Sequence, residues 1–258
     1  MKPEIFNKQV STIKSTEDFA PLIDYLTIFK IDRFFDLENE NEIKLLTDDY
    51  NSFANTKISE DVFYTNAIRI LKIINKPKFS FFKKPISNIY PYKNVTLTDV
   101  FELIKSPIHY GEQTLELRNI NNKAESSMFK CLNFDYVTFS GMFSRRNENS
   151  LIKHSNLIVL DFDNVEKPAE LKTELISDKS INPLLVFISP GGNGIKIITK
   201  IDIDKYSHLI YFNGLMSYFN KKYQLKIDPS GKDISRACFL CHDPEVYINP
   251  QIKTPWIN

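Results

Sequence analysis

Hydrophobic residues recur with two different periods along this chain. Up to about residue 80 the spacing is helical, as in the apolar positions between residues 22 and 29. Ser15 and Asp18 resemble a capping box before that run, and Ser59 precedes an acidic pair and a second run over residues 63–74. The pattern predicts helices whose apolar stripes pack into a core.

Beyond residue 94 the pattern becomes one of short apolar runs separated by helical segments. Residues 76–94 contain three prolines and several lysines, which indicates a boundary or a wrapping connection. Thr96 and Asp99 look like the start of another short helix. The predicted strands are TLELRN (114–119), FDYVTFS (134–140), NLIVLDFD (156–163), LLVFIS (184–189), IKIITKI (195–201) and RACFLC (236–241), with helices near 168–179 and 204–223.

This alternation predicts an α/β (α+β) fold with a mixed sheet. Runs such as LIVL and LLVFI are typical of central strands that are covered on both faces. We expect two domains: a helical N-terminal region over residues 1–90 and a second, sheet-containing domain over residues 91–258.

Composition excludes several classes of protein. Hydrophobic residues make up 42% of the chain and aromatic residues 13%, which excludes a disordered chain. No run approaches the roughly 18 apolar residues of a membrane span, and the N-terminus lacks a secretory signal, so we expect a cytoplasmic protein with no membrane partner. The formal net charge of +1 argues against a DNA-binding module that works by electrostatics alone.

Two aspartates mark the end of the most apolar predicted strand. Asp161 and Asp163 flank Phe162, and because side chains alternate along a strand, both carboxylates are expected on one face. Their mutual repulsion is most simply offset by a hard divalent cation with oxygen ligands. A turn at the strand end would also explain Asp163, but it leaves Asp161 unexplained.

A glycine-rich segment, SPGGNGIK (189–196), joins the next two predicted strands. Its glycines allow the backbone to approach a ligand and to present N–H groups to phosphate oxygens, and Lys196 adds a positive charge. The spacing is not that of a Walker loop, and a strand follows where that motif requires a helix. A simple glycine-rich hairpin would have the same letters.

A third acidic segment, DPSGKDISR (228–236), enters the last predicted strand. Asp228 supplies a carboxylate far in sequence from the first two, and Arg236 supplies a guanidinium suited to phosphate. An ordinary Asp-Pro turn would also account for Asp228, and Asp233 is an equally suitable acid.

These motifs in this order resemble the archaeo-eukaryotic primase, or primase-polymerase, superfamily. The resemblance covers residues 94–250 and is closest to a branch found in bacterial mobile elements, often fused or adjacent to helicases. The phrases that carry it are TFSGMFSRR (138–146), KHSNLIVLDFDNV (153–165), SPGGNGIK (189–196) and DPSGKDISRACFLCHDP (228–244).

The resemblance implies a core related to the RRM-like fold and a replication enzyme that joins nucleoside triphosphates on a single-stranded nucleic-acid template. It implies a two-metal site with Mg²⁺ or Mn²⁺, and a helicase as partner or fusion. In its terms Asp161, Asp163 and Asp228 are catalytic metal ligands. The residues implied to bind nucleotide are Ser189, Gly192, Gly194, Lys196 and Arg236, with Lys196 standing where the family usually has a histidine.

Two arginines are candidates for contact with nucleic acid. Arg145 and Arg146, just before the aspartate strand, are candidates to reach phosphate or template.

Two other functions remain open. One alternative is a catalytically degenerate module that binds nucleotide or nucleic acid without reaction. Another is a haloacid-dehalogenase-like phosphatase, in which Asp161 would be the nucleophile.

Overall fold

The computed structural model describes residues 20–28, 40–74 and 76–253, and the chain divides into two compact units, residues 1–76 and 77–258. The described residues of the first unit form the helices α1 (Ala20–Ile28), α2 (Glu40–Phe53) and α3 (Glu60–Ile74). The helical character predicted for this region is confirmed in the described residues. The predicted cap at Ser15 and Asp18 lies outside them.

An aromatic cluster around Tyr25 forms the core of the first unit. The ring centroids of Tyr50, Phe53 and Phe63 lie 5.4, 5.6 and 6.2 Å from that of Tyr25. The Tyr25 hydroxyl donates a hydrogen bond of 2.8 Å to the carboxylate of Asp49. Each of the three described helices thus contributes at least one ring to this cluster.

The second unit combines helices and strands, so the predicted α+β class is confirmed. No helix within residues 20–28, 40–74 or 76–253 is both long and apolar enough to cross a membrane. The elements of the second unit are β1 (Phe79–Phe82), β2 (Lys93–Val95), α4 (Leu97–Lys105), α5 (Pro107–Asn119), α6 (Lys123–Asn133), β3 (Tyr136–Thr138), β4 (Gly141–Phe143), β5 (Leu151–His154), β6 (Leu157–Phe162), α7 (Pro168–Ile176), β7 (Leu185–Ile188), β8 (Ile195–Lys200), α8 (His208–Tyr223), β9 (Cys238–Phe239), β10 (Tyr247–Ile248) and α9 (Pro250–Lys253).

The strands form two four-stranded sheets, with orders β2-β1-β3-β9 and β10-β7-β8-β6, and a β4-β5 hairpin. Residues 77–90, which the sequence pattern grouped with the helical region, fold with the second unit because β1 pairs with β2 and β3. Every strand pair in the described part of the chain is antiparallel, whereas a mixed sheet was predicted. The reason is that β8 returns from β7 and inserts between β7 and β6. Strands β6 and β7 are therefore parallel without pairing, as in a split βαβ unit.

One predicted strand is wrong, because residues 114–119 form the last part of helix α5. Ser106 caps this helix and Pro107 occupies its first turn, where its fixed φ and missing N–H are tolerated. Thr114 and Leu117, three positions apart, are buried on one helix face. The capping signal predicted at Thr96 is confirmed as a capping box at the start of α4.

Strand β6 is buried on both faces, as its apolar sequence predicted, but it lies at an edge of its sheet and not at the centre as expected. Leu157 and Val159 belong to a core shared with residues of both four-stranded sheets. Ile158 and Leu160 point the other way, into a core that includes residues of α7 and α8. Asp161 continues the first of these faces, so its carboxylate lies at the end of the core between the sheets.

A buried carboxylate, Asp178, connects the end of α7 to the last turns of α8. It accepts hydrogen bonds of 2.6 Å from the hydroxyls of Tyr218 and Tyr223 and one of 2.9 Å from the ammonium of Lys222. Burial opposes the charged form, but the three side-chain donors and the Ser180 amide outweigh it and hold the pKa of Asp178 below its usual range.

We expect Asp178→Asn to lower the free energy of unfolding by about 2 kcal/mol, because an amide cannot satisfy three donors as a carboxylate does. Urea unfolding followed by circular dichroism measures the change. The exposed Asp204 provides a matched control, and Asp204→Asn should change stability by less than about 0.5 kcal/mol. Equal effects of the two substitutions would contradict the role assigned to Asp178.

Candidate functional site

The predicted acidic residues lie at one end of β6. Asp161 is the penultimate residue of the strand, and Asp163 follows directly after its end and is exposed. In the antiparallel register Asp161 lies opposite Lys196 of β8, so the two side chains project from the same face of the sheet.

Lys196 forms an ion pair with one carboxylate oxygen of Asp161, Oδ2. The side chains are only 9% and 19% exposed, so the pair is largely shielded from water. Burial by itself would lower the pKa of Lys196, but the acidic groups of Cys238, Asp161 and Asp163 around it raise that pKa above its usual value. The ammonium group is therefore charged at neutral pH, and it lies beside the acids rather than apart from them.

The second carboxylate oxygen of Asp161, Oδ1, is buried and has no hydrogen-bond partner in the described residues. A buried carboxylate oxygen without a donor is costly, so this atom has unused capacity to bind a cation or a donor group. The oxygen donors of Asp161 and of the exposed Asp163 fit a hard divalent ion. Residues 20–28, 40–74 and 76–253 contain no group of three His, Cys, Asp or Glu side chains arranged to hold a metal.

The glycine-rich segment forms a tight turn against the end of β6. The amide of Ser189 donates to the carbonyl of Gly194 at 2.8 Å, and the amide of Gly192 donates to Ser189 at 2.9 Å. Gly192 has a φ of +82°, which favours glycine. A Cβ on Gly194 would lie 2.6 Å from the carbonyl oxygen of Phe162, so only glycine allows this approach. The amide of Gly192, one of the glycines expected to present an N–H group to phosphate, thus donates within the turn, as does the amide of Ser189.

Arg118 of α5 is a residue at this turn that sequence reasoning missed. Its Nε donates to the carbonyl of Pro190 at 3.2 Å, and Nη2 lies 3.5 Å from the carbonyl of Ser189. The side chain also lies 3.2 Å from where a Cβ of Gly192 would be. The guanidinium of Arg118 thus holds the turn. Because the side chain is otherwise exposed, its remaining N–H groups face solvent.

Asp228 comes to the same end of β6 through its backbone. Its amide donates to the carbonyl of Asp161 at 2.8 Å. Its carboxylate accepts from the Ser230 amide at 2.9 Å, from the Ser230 hydroxyl at 2.6 Å and from Arg236 at 3.1 Å. Burial by itself would raise the pKa of Asp228. The three donors and the charge of Lys196 outweigh that effect, so the pKa of Asp228 lies below its usual value. Arg236, 45% exposed, keeps part of its guanidinium open to solvent.

The two predicted arginines of the 138–146 motif lie elsewhere in the second unit. Arg145 is exposed, with its guanidinium carbon 5.9 Å from the ring centre of Tyr90. Arg146 is half-buried over the ring of Tyr136 at 5.4 Å, and its Nη2 lies 3.5 Å from the carbonyl of Ile86. Arg146 therefore has a packing role, while Arg145 is open to a partner.

A histidine pair supports the loop that carries Asp228. The Asn156 amide donates to Nδ1 of His154 at 3.0 Å, so Nε2 of His154 carries the hydrogen and donates to Nδ1 of His208 at 3.3 Å. Nε2 of His208 then donates to the carbonyl of Gly231 at 3.3 Å. Both rings must be neutral for this chain of bonds to form in one direction.

Acid should break the histidine chain. Burial and the neighbouring His208 lower the pKa of His154 to about 4, and burial lowers that of His208 despite Gly231 and Asp233. Because an unfolded histidine titrates near 6.5, the unfolded state binds more protons between about pH 6.5 and 4. Stability contributed by the pair is therefore present above pH 6.5 and is lost as the pH falls toward 4.

We expect His154→Gln to reduce the fall in melting temperature between pH 7 and pH 5 relative to the unsubstituted protein, because one of the titrating groups is removed. Thermal unfolding at the two pH values measures this difference. His109 is exposed, so His109→Gln should leave the pH dependence unchanged. A His154 variant with the original pH dependence would show that the pair does not titrate as described.

The Lys196–Asp161 pair can be tested by a double-mutant cycle. Lys196→Met alone should destabilise the fold by about 3–5 kcal/mol, since it leaves a buried carboxylate without its partner. Lys196→Met combined with Asp161→Asn should recover part of that loss, because no uncompensated charge remains. Urea unfolding of the four proteins measures the coupling, and additive effects would contradict the pairing.

Part of the second unit is similar to a known protein family. A family model described as "BT4734-like, N-terminal domain" matches residues 130–248, which is under half of the chain. The matched stretch includes Asp161, Lys196 and Asp228 but not Arg118. No curated protein matches the chain, and no solved structure matches it. Residues 130–248 are thus similar to that family.

Proposed function

We propose that the second unit is a metal-dependent nucleotidyltransferase of the primase-polymerase type that joins nucleoside triphosphates on a nucleic-acid template. The observation that carries this proposal is the convergence at the end of β6 of three aspartates and two cations from separate segments. Asp161 and Lys196 are directly paired, and the amide of Asp228 is bonded to the carbonyl of Asp161. The glycine-rich turn packs against the same strand end.

In this proposal Asp161 and Asp163 hold Mg²⁺ or Mn²⁺, and Asp228 contributes from the adjacent loop. Oδ1 of Asp161, which has no hydrogen-bond partner among the described residues, is the donor atom that supports this assignment most directly. When bound, such a metal would lower the pKa of an attacking hydroxyl and offset the charge on the departing pyrophosphate.

The cations of the site suit a triphosphate. Arg236 is partly exposed beside Asp228 and can donate to phosphate oxygens through its open N–H groups. Lys196 adds a charge at the inner end of the site, and Arg118 holds the glycine-rich turn in place. Because the core around Lys196 excludes water, its charge acts more strongly on phosphate than it would in solvent, whereas Arg118 and Arg236 are largely solvated.

A second function, nucleotide binding without reaction, is favoured by one specific observation. The ammonium of Lys196 already neutralises Asp161, and Arg236 already pairs with Asp228. A metal would have to share the Asp161 carboxylate with Lys196. A site organised this way suits a ligand phosphate that competes for the cations, and catalysis is not needed for that binding.

The test is incorporation of labelled dNTPs or NTPs with Mg²⁺ or Mn²⁺, on a single-stranded template with and without a primer. We expect Asp163→Asn to lower incorporation at least about 100-fold, since a carboxylate metal ligand is lost. Asp163 is exposed, so the variant should keep its melting temperature. Glu166, another exposed acid three residues on, is the matched control, and Glu166→Gln should retain full activity. Asp161→Ala is expected to abolish incorporation too, with some loss of stability because Lys196 is left unpaired.

Each outcome separates the candidate functions. Incorporation that survives in Asp163→Asn would overturn the site assignment. Nucleotide binding by calorimetry without incorporation would favour the binding module. Release of inorganic phosphate from a phosphate monoester, abolished by Asp161→Asn, would instead favour the haloacid-dehalogenase-like phosphatase.

A further inference from the structure

The segment that contains β1 and β2 is strongly basic. Residues 76–98 contain five lysines and no aspartate or glutamate. The whole chain has a formal net charge of only +1, so positive charge is concentrated here and balanced elsewhere. A local excess of this kind attracts a polyanion even when the whole protein is close to neutral.

Two tyrosines of this segment present their rings to solvent. Tyr90 and Tyr92 are 62% and 66% exposed, although large aromatic side chains usually bury most of their surface. The guanidinium of Arg145 lies 5.9 Å from the centre of the Tyr90 ring, and the ammonium of Lys83 lies 5.6 Å from that of Tyr92. Each exposed ring is thus accompanied by a cation.

The backbone around the tyrosines is held by the fold. The amide of Tyr92 donates to the carbonyl of Phe81 in β1 at 2.8 Å, and the amide of Arg146 donates to the carbonyl of Ile89 at 2.8 Å. The ring of Phe82, the next residue of β1, stacks on that of Tyr136 in β3. The tyrosines therefore project from a supported segment, and less conformational entropy is lost when a ligand binds.

Most of the cations here are not neutralised by acids. Lys83 shares its charge with Asp135 at 3.3 Å. Lys84, Lys93 and Arg145 are exposed, and in the part of the chain that the structure describes none of their charged groups has a carboxylate oxygen within 4 Å. Only the backbone amide of Lys84 contacts an acid, donating to Asp135 at 2.9 Å.

We propose that Lys84, Tyr90, Tyr92, Lys93 and Arg145, here called the tyrosine surface, bind single-stranded nucleic acid. Unpaired bases stack on the two tyrosine rings, and the three cations contact the phosphate backbone. A duplex keeps its bases stacked on each other and would leave the rings unused. An anionic membrane is less suitable, because the surface offers tyrosines and cations without an aliphatic face to insert.

The position of the tyrosine surface fits a template contact. Strands β1 and β2 form one edge of the sheet β2-β1-β3-β9, and β9 at its other edge carries Cys238, which shares a buried core with Val159 of β6. Three strand spacings separate the two edges, or roughly 14 Å. Only this link to a template rests on the proposed function, since binding of a single strand is measurable without it.

The experiment is fluorescence anisotropy of the full chain with a labelled 20-nucleotide oligothymidine or oligouridine, in EDTA and without nucleoside triphosphate. We expect Tyr90→Ala with Tyr92→Ala to weaken binding at least about tenfold, and Tyr90→Phe with Tyr92→Phe to keep it, because phenylalanine retains the stacking face. Lys84→Ala and Lys93→Ala should each lower the dependence of log affinity on log salt by about 0.7.

Tyr206 provides the matched control. It is 49% exposed and has Lys205 at 5.6 Å from its ring, but it follows Asp202 and Asp204 in an acidic segment. Tyr206→Ala should leave affinity unchanged, and so should Asp163→Asn, which separates this surface from the candidate site. Equal affinity of the double alanine variant and the unsubstituted protein would overturn the proposal. Binding to phosphatidylserine vesicles but not to either oligonucleotide would overturn it in favour of a membrane surface.

Discussion

The ion pair between Asp161 and Lys196 constrains the whole arrangement at the end of β6. Both side chains lie in the core between two sheets, so neither charge can be left alone without a large cost. Their pairing requires the β6–β8 register in which the two residues face each other. A slip of one residue would turn Lys196 to the opposite face, into the core packed with α7 and α8. The glycine-rich turn maintains this register, because Gly194 packs directly on the carbonyl of Phe162.

The same pair determines what chemistry the site is suited to. Lys196 compensates one oxygen of Asp161 and leaves the other buried without a donor in the described residues. A carboxylate in this state can bind a cation through its free oxygen while the ammonium keeps it charged. Asp163, exposed at the strand end, can complete such binding or turn away to solvent. The choice between a catalytic and a binding role therefore depends on whether a metal can share Asp161 with Lys196.

Local sequence patterns predicted the elements around the site well, because β6, β7 and β8 are apolar runs with clear ends. The prediction of a strand at residues 114–119 was wrong because Leu115 and Leu117 alternate with polar residues, as they would in a strand. In the helix Leu115 is 65% exposed and Leu117 is 2% exposed, so the alternation did not reflect a shared face. The helix was indicated instead by the Ser106-Pro107 start, a signal that lies eight residues before the misread run.

Contacts between distant segments were the part that the sequence could not supply. Arg118 is 71 and 72 residues from the carbonyl groups it binds, and no local pattern connects an arginine at a helix end to a glycine-rich turn. The position of β8 between β6 and β7 was missed for a similar reason. The order of strands in a sheet depends on the direction in which each connecting turn leads the chain, and the apolar runs do not indicate that direction. The motif order nevertheless predicted that Asp161, Lys196 and Asp228 lie together, and in the structure Lys196 pairs with Asp161 and the amide of Asp228 donates to the carbonyl of Asp161.

Charge distribution shows why the net charge of a chain is a poor guide to its partners. A formal charge of +1 suggested little affinity for a polyanion, yet residues 76–98 are basic throughout and acids such as Asp202 and Asp204 lie in other segments. Electrostatic attraction falls off within about 10 Å at moderate salt, so a ligand responds to the nearest charges and not to the sum. A single strand held over Tyr90 and Tyr92 would therefore meet a positive surface, while acids farther away limit nonspecific binding elsewhere on the protein.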